Sequence, residues 1–145
     1  MGILTDYFIA GSDAEAAATL KATGGPEQVG LVTAQLKGVD PVVNLATLEE
    51  ILTGTDSMAI ISEGEDPVAD GGNDGPWVIP VRASLVAALT TTDAGKLPDI
   101  AADWAATEEY VGTDPKELLD VLHDLGRIAK QSLDENKRLY CWTSL

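Results

Sequence analysis

The last quarter of the chain restricts its architecture more than any other part. Asp114-Pro115, with Glu117 three residues after the aspartate, is a helix start, because the carboxylate can hold free amides of the first turn and proline has no N–H to leave unpaired there. Leu118, Leu119, Val121, Leu122, Leu125, Ile128, Ala129 and Leu133 then make a broad apolar stripe that runs to about Glu135. Gly126 within this helix costs about 1 kcal/mol relative to alanine and suggests close packing against a neighbour. Soon afterwards the chain ends in Leu139-Tyr140-Cys141-Trp142-Thr143, a strand with large residues on both faces, so both faces need cover. A long helix feeding such a strand fits a sheet with helices packed on it.

The remainder of the chain is consistent with that plan. Residues Ile3 to Ala10 are rich in β-branched and aromatic types and stop at Gly11, which reads as a strand. Ser12 and Glu15 form a capping box, followed by an alanine-rich helix to Thr23 that Gly24-Gly25-Pro26 ends. A second strand is expected within Gly30 to Leu36. Asp40-Pro41 starts a helix with Leu45, Leu48, Ile51 and Leu52 on one face, closed by Gly54. Met58 to Ser62 reads as a short strand and Trp77 to Val81 as another. Arg82 to Thr91 has helical spacing, and Pro98 opens a helix ending near Gly112. The stretch from Glu63 to Pro76 holds four glycines, two prolines and five acids with almost nothing to bury, and reads as a mobile loop. The expected fold is a single α+β domain over residues 1–145, with a small mixed or antiparallel sheet and about five helices packed on it.

Charge narrows the function. The chain carries 24 acids against nine bases, a formal charge of -15. Nucleic-acid binding draws much of its affinity from Lys and Arg, so that class is excluded. The excess is local: residues 1 to 113 hold 18 acids and four bases, and no base stands between Lys37 and Arg82. One cysteine, Cys141, leaves no disulfide framework and no zinc motif, which suits a reducing cytoplasm. No apolar run approaches the ~20 residues that cross a bilayer, and the N-terminus lacks the basic start of a secretion signal.

The opening Met1-Gly2-Ile3-Leu4-Thr5-Asp6-Tyr7-Phe8, the stretch Trp104-Ala105-Ala106-Thr107-Glu108-Glu109 and the ending Leu139-Tyr140-Cys141-Trp142 resemble a group of small uncharacterised proteins, chiefly actinobacterial. The Met-Gly start closing in Tyr-Phe, the helix ending in Leu52-Thr53-Gly54 and the long last helix running into a strand also look like the YfbM-like family. What the resemblance implies is an α+β fold; it brings no catalytic residue.

Candidate chemistry is sparse. His123 is the sole histidine and has no local nucleophile, so it reads as a surface or structural residue of the last helix, and a dyad with Cys141 is disfavoured. The acidic loop lacks the EF-hand pattern, and its glycines lack the lysine of a phosphate cradle. Neither a metal site nor a cofactor is expected. An aromatic beside carboxylates suits a cationic or sugar-like ligand, which makes Trp104 and Glu108, read as i and i+4 on one helix, a candidate pocket with Asp6 and Tyr140. The leading expectation is nevertheless a non-enzymatic binding or regulatory protein whose acidic segment 40–74, through Glu49, Glu50, Glu63, Glu65, Asp66, Asp70 and Asp74, engages a basic protein partner. The alternative is a small carboxylate-dependent hydrolase or ligand-binding protein built around Trp104 and Glu108.

Overall fold

The computed structural model describes residues 4–21, 25–36, 38–73 and 75–144. Among these, five strands form one antiparallel sheet: β1 (Leu4–Ala10), β2 (Thr33–Gln35), β3 (Ala69–Asp70), β4 (Trp77–Pro80) and β5 (Arg138–Ser144). Their order is β2-β1-β5-β4-β3, so the first and last strands lie side by side at the centre, paired from Leu4 opposite Ser144 to Ala10 opposite Arg138. Burial on both faces explains why neither strand alternates apolar with polar residues.

Six helices join the strands: α1 (Asp13–Ala18), α2 (Val43–Thr53), α3 (Ser57–Ser62), α4 (Ala83–Thr91), α5 (Leu97–Ala105) and α6 (Pro115–Asp134). The architecture is α+β, as expected, with one helix more than anticipated. That helix is α3, formed by residues expected as the strand Met58 to Ser62. Asp56 decides the outcome, because its carboxylate accepts the Ala59 N–H at 3.2 Å and so fixes the first turn. Six residues are too few for apolar periodicity to separate the two forms. The fifth strand instead lies in the stretch expected as a mobile loop. Val68 N–H donates to Val78 O and Gly71 N–H to Pro76 O, both at 2.8 Å, which hold Ala69–Asp70 beside β4. A Cβ on Gly71 would lie 2.5 Å from Pro76 O, so only glycine lets the two backbones meet there.

The sheet divides the interior unequally. One face carries Tyr7, Ile9, Ala34, Leu139 and Cys141, packed beneath α2, α4, α5 and α6 with Leu48, Leu85, Trp104, Leu122 and Leu125. The other carries Phe8, Ala10, Val78, Tyr140 and Trp142, covered by Ala16 and Leu20 of the segment after β1. Phe8 and Tyr140 sit opposite one another in register and stack at 5.7 Å between ring centroids.

Local chemistry sets the helix ends. The Ser12 hydroxyl accepts the Glu15 N–H at 3.1 Å, while the Glu15 carboxylate reaches back to Gly11 N–H at 2.9 Å, one residue earlier than the expected capping box. Helix α1 gives way to a 3-10 turn over Thr19–Lys21, and the last expected residues, Ala22 and Thr23, lie outside the described residues. Asp40 accepts the amides of Val42 and Val43, and Gly54 closes α2 at φ +81°. Helix α5 ends at Ala105 rather than near Gly112. The Thr107 hydroxyl and the amides of Ala106 and Thr107 turn back onto the carbonyls of residues 102–104, and a separate 3-10 turn follows at Glu108–Tyr110.

Candidate functional site

The apolar face of α2 is interrupted by Glu49, which lies one turn beyond Leu45 in the buried arc of the helix. A carboxylate there needs charge and hydrogen bonds to offset its lost hydration. Both come from the segment that leaves β4. Arg82 Nε donates to Glu49 Oε1 at 3.1 Å, and the Ser84 hydroxyl donates to Glu49 Oε2 at 3.0 Å. The Glu49 side chain is 3% exposed and that of Arg82 is 27% exposed, so the acid is fixed inside while the guanidinium reaches the surface.

Arg82 stands between two concavities. On one side a cleft of about 130 Å³ runs between α2, α3 and β4, lined by Val42, Leu45, Ala46, Ile60, Ile61 and Ile79 with Glu49 and Arg82 at its polar end. Cavities of about 150 Å³ hold a benzene-sized group, so this cleft suits one apolar side chain. On the other side an open groove of about 610 Å³ lies where β5 begins, lined by Val81, Val86, Leu133 and Leu139 together with Ser84 and Arg138. Glu65 lines both, and its carboxylate is ion-paired with Arg138. The Arg138 guanidinium also lies over the Tyr140 ring, 5.9 Å from its centroid.

The acids expected to face a partner have divided duties. Glu49 is buried and ion-paired with Arg82, so it meets the inner end of the cleft and not the outer acidic surface. Asp40 caps α2 and Asp56 caps α3; Glu50 accepts the Ser57 N–H, and Asp70 accepts the Gly72 N–H at 2.9 Å. Glu63, Glu65 and Asp66 stand exposed beside the 130 Å³ cleft or just beyond it, whereas Asp74 lies outside the described residues. A capping carboxylate keeps its charge, so these acids still contribute to the field over this side of the molecule.

The residues expected to share a pocket are not brought together. Trp104 is fully buried on the helix-covered side of the sheet, donating its indole N–H to Asn44 O at 3.2 Å and meeting the Tyr110 ring edge-on at 5.2 Å. Because α5 stops at Ala105, the i to i+4 relation with Glu108 does not exist, and Glu108 is exposed on the following turn. Tyr140 and Asp6 belong to the opposite side of the sheet. The Tyr140 hydroxyl donates to Asp13 Oδ1 at 2.6 Å, tying β5 to the first turn of α1, and burial followed by that bond raises its pKa above the ordinary phenol range. Asp6 is 7% exposed, directly opposite Trp142 in register. Desolvation, and then repulsion by Glu27, raise its pKa. The Trp142 indole N–H beside it is buried with no acceptor among the described residues.

His123 is exposed on α6 and Cys141 is fully buried in β5, where desolvation pushes its thiol well above the ordinary range, so the two share no site. Among the described residues no group of three or more His, Cys, Asp or Glu side chains is placed to hold a metal ion. None of their helices is long and apolar enough to cross a membrane. The residues that sequence reasoning missed are Arg82, Ser84 and Arg138. A signal for the first existed: Glu49 interrupts an apolar arc, and Arg82 is the only base between Lys37 and Lys96.

No protein-family model and no curated relative matches this chain. Among solved structures it is similar to a protein of unknown function, YfbM from Escherichia coli, at 12% sequence identity and a TM-score of 0.47, over 97% of this chain and 99% of that one. The neighbour is of the YfbM-like kind noted in the sequence, it does not bear on the actinobacterial group, and at this level it carries no function across.

Proposed function

We propose that this chain is a non-enzymatic binding protein that takes an apolar side chain of a basic protein partner into the cleft between α2, α3 and β4. The observation that carries the reading is the pairing of an apolar, side-chain-sized cleft with an acidic border. Val42, Leu45, Ile60, Ile61 and Ile79 supply the walls, while Glu63, Glu65 and Asp66 stand where residues flanking the anchor would pass. The field of the 40–74 acids attracts and orients a positively charged surface, and the cleft supplies the desolvated anchor that surface charge alone cannot. In this reading Glu49 and Arg82 form the rigid polar end of the cleft and do no chemistry.

Peptides carrying one leucine or phenylalanine in a lysine-rich frame test it directly. Wild-type protein should bind them, and binding should weaken roughly tenfold as salt rises from about 50 to 300 mM, in keeping with screened surface charge. Val42→Arg, at a position 42% exposed on the lip, should abolish binding while leaving the fold intact. Equal binding of the same peptides in a glutamate-rich frame, or no binding of the lysine-rich set, would overturn the proposal.

A further inference from the structure

The groove on the far side of Arg82 has a chemistry that the partner reading does not use. The chain has three arginines, and two of them, from positions 82 and 138, meet in this one groove. Each already holds a carboxylate of the chain itself, but on different terms. Glu49 is locked to Arg82 Nε inside the protein, with Ser84 fixing its second oxygen. Glu65 reaches Arg138 from an exposed segment, with its own side chain 45% exposed, so that pair is solvated and exchangeable. Helix α4 also begins at this wall, with Ala83 and Ser84 lining the groove and no side chain capping its first turn. Val81, Val86, Leu133 and Leu139 supply the apolar part of the lining, beside the hydroxyl-bearing Ser84 and Ser132, and Leu133 is 53% exposed.

We propose that this groove binds a small aliphatic carboxylate, its acid group taking the place of Glu65 on Arg138 and its alkyl body lying against Val86, Leu133 and Leu139. Guanidinium forks match carboxylate geometry, and Glu65 shows that a carboxylate reaches this position. The surrounding charge of -15 disfavours multiply charged anions such as phosphate, whereas a monoanion with an apolar body gains from both halves of the lining. Glu65 is then an internal competitor that holds the groove closed to weak ligands. The groove shares Glu65 and Arg82 with the rim of the cleft for the basic partner, but its test uses small molecules alone and reads out at Leu133 and Arg138, which the cleft does not include, so either proposal can fail without the other.

The experiment is an amide-resolved NMR titration of the full chain with octanoate at fixed ionic strength, in parallel with octanamide, inorganic phosphate and N-acetyl-leucine. Octanoate should give saturable shifts at Ala83, Ser84, Leu133 and Arg138, and octanamide and phosphate should not. Arg138→Gln should raise the dissociation constant about tenfold, the scale of a lost charge-assisted hydrogen bond. Glu65→Gln should lower it severalfold, because it removes the competitor. An equal response to octanamide would reduce the groove to an apolar surface, and an equal response to phosphate to a plain anion site. Tighter binding of N-acetyl-leucine would assign it to a chain terminus. Each of these overturns the proposal, as does weaker or unchanged octanoate binding by Glu65→Gln.

Discussion

Asp6 and Trp142 show how a single buried position can set a pH dependence. They face each other across the central strand pair, each more than nine-tenths buried, and the Trp142 indole N–H has no acceptor among the described residues. Desolvation and the neighbouring Glu27 make the charged form of Asp6 costly in the folded state. A raised folded pKa means that the folded protein binds the proton more tightly than the unfolded chain does. Below the ordinary carboxylate pKa of about 4 both states are protonated and no difference arises. As pH rises through the raised folded value the folded protein must ionise a buried group, and stability falls. Asp6→Asn keeps the shape and removes the charge. The variant should therefore match the wild type near pH 4 and exceed it in Tm at pH 7. A Tm difference that stays constant with pH, or reverses sign, would remove Asp6 as the source.

At the scale of elements, long segments were legible and short ones were not. The strands at both ends were readable as runs of β-branched and aromatic residues, and the helix over Pro115–Asp134 because its apolar stripe repeats over many residues; Asp114 caps that helix through Lys116 N–H at 3.0 Å. Residues 57–62 failed because one cap at Asp56 outweighs a six-residue pattern, and the strand at Ala69–Asp70 failed because two residues carry no pattern. The candidate pocket at Trp104 and Glu108 failed for a related reason: spacing puts residues on one face only if the helix continues, and α5 stops between them. Gly126 is a further correction. Its place in the apolar helix suggested a close neighbour, yet a Cβ added there would meet nothing within 4 Å. Alanine is compatible with helical backbone and restricts the unfolded chain, so Gly126→Ala should stabilise the protein by about 0.5–1 kcal/mol in urea unfolding. Destabilisation by that change would mean that this stretch of α6 is packed more tightly than its surroundings show.

For the whole molecule, the question is whether the acidic excess costs stability or is held by local partners. Much of it has partners: Asp40, Asp56 and Asp114 receive backbone amides, Glu49 holds Arg82, and Glu65 holds Arg138. The amide contacts are short and local, so salt weakens them little. The exposed helical pairs Asp124–Arg127 and Lys130–Asp134 are worth about 0.5 kcal/mol each at most, and screening removes only that. Against these stands the mutual repulsion of a formal charge of -15 compressed into one domain, a long-range term that the unfolded chain relieves by expanding. The Debye length shortens from about 30 Å at 0.01 M salt to about 10 Å at 0.1 M, the distance over which like charges on this surface interact. The repulsive sum should fall faster with salt than the attractive contacts do. Tm at pH 7 should rise by several degrees between 0.01 and 0.3 M sodium chloride, with most of the gain below 0.1 M. Scanning calorimetry across that range checks it. A Tm that falls with salt would show that attractive ion pairs, rather than repulsion among the acids, dominate the electrostatics of the fold.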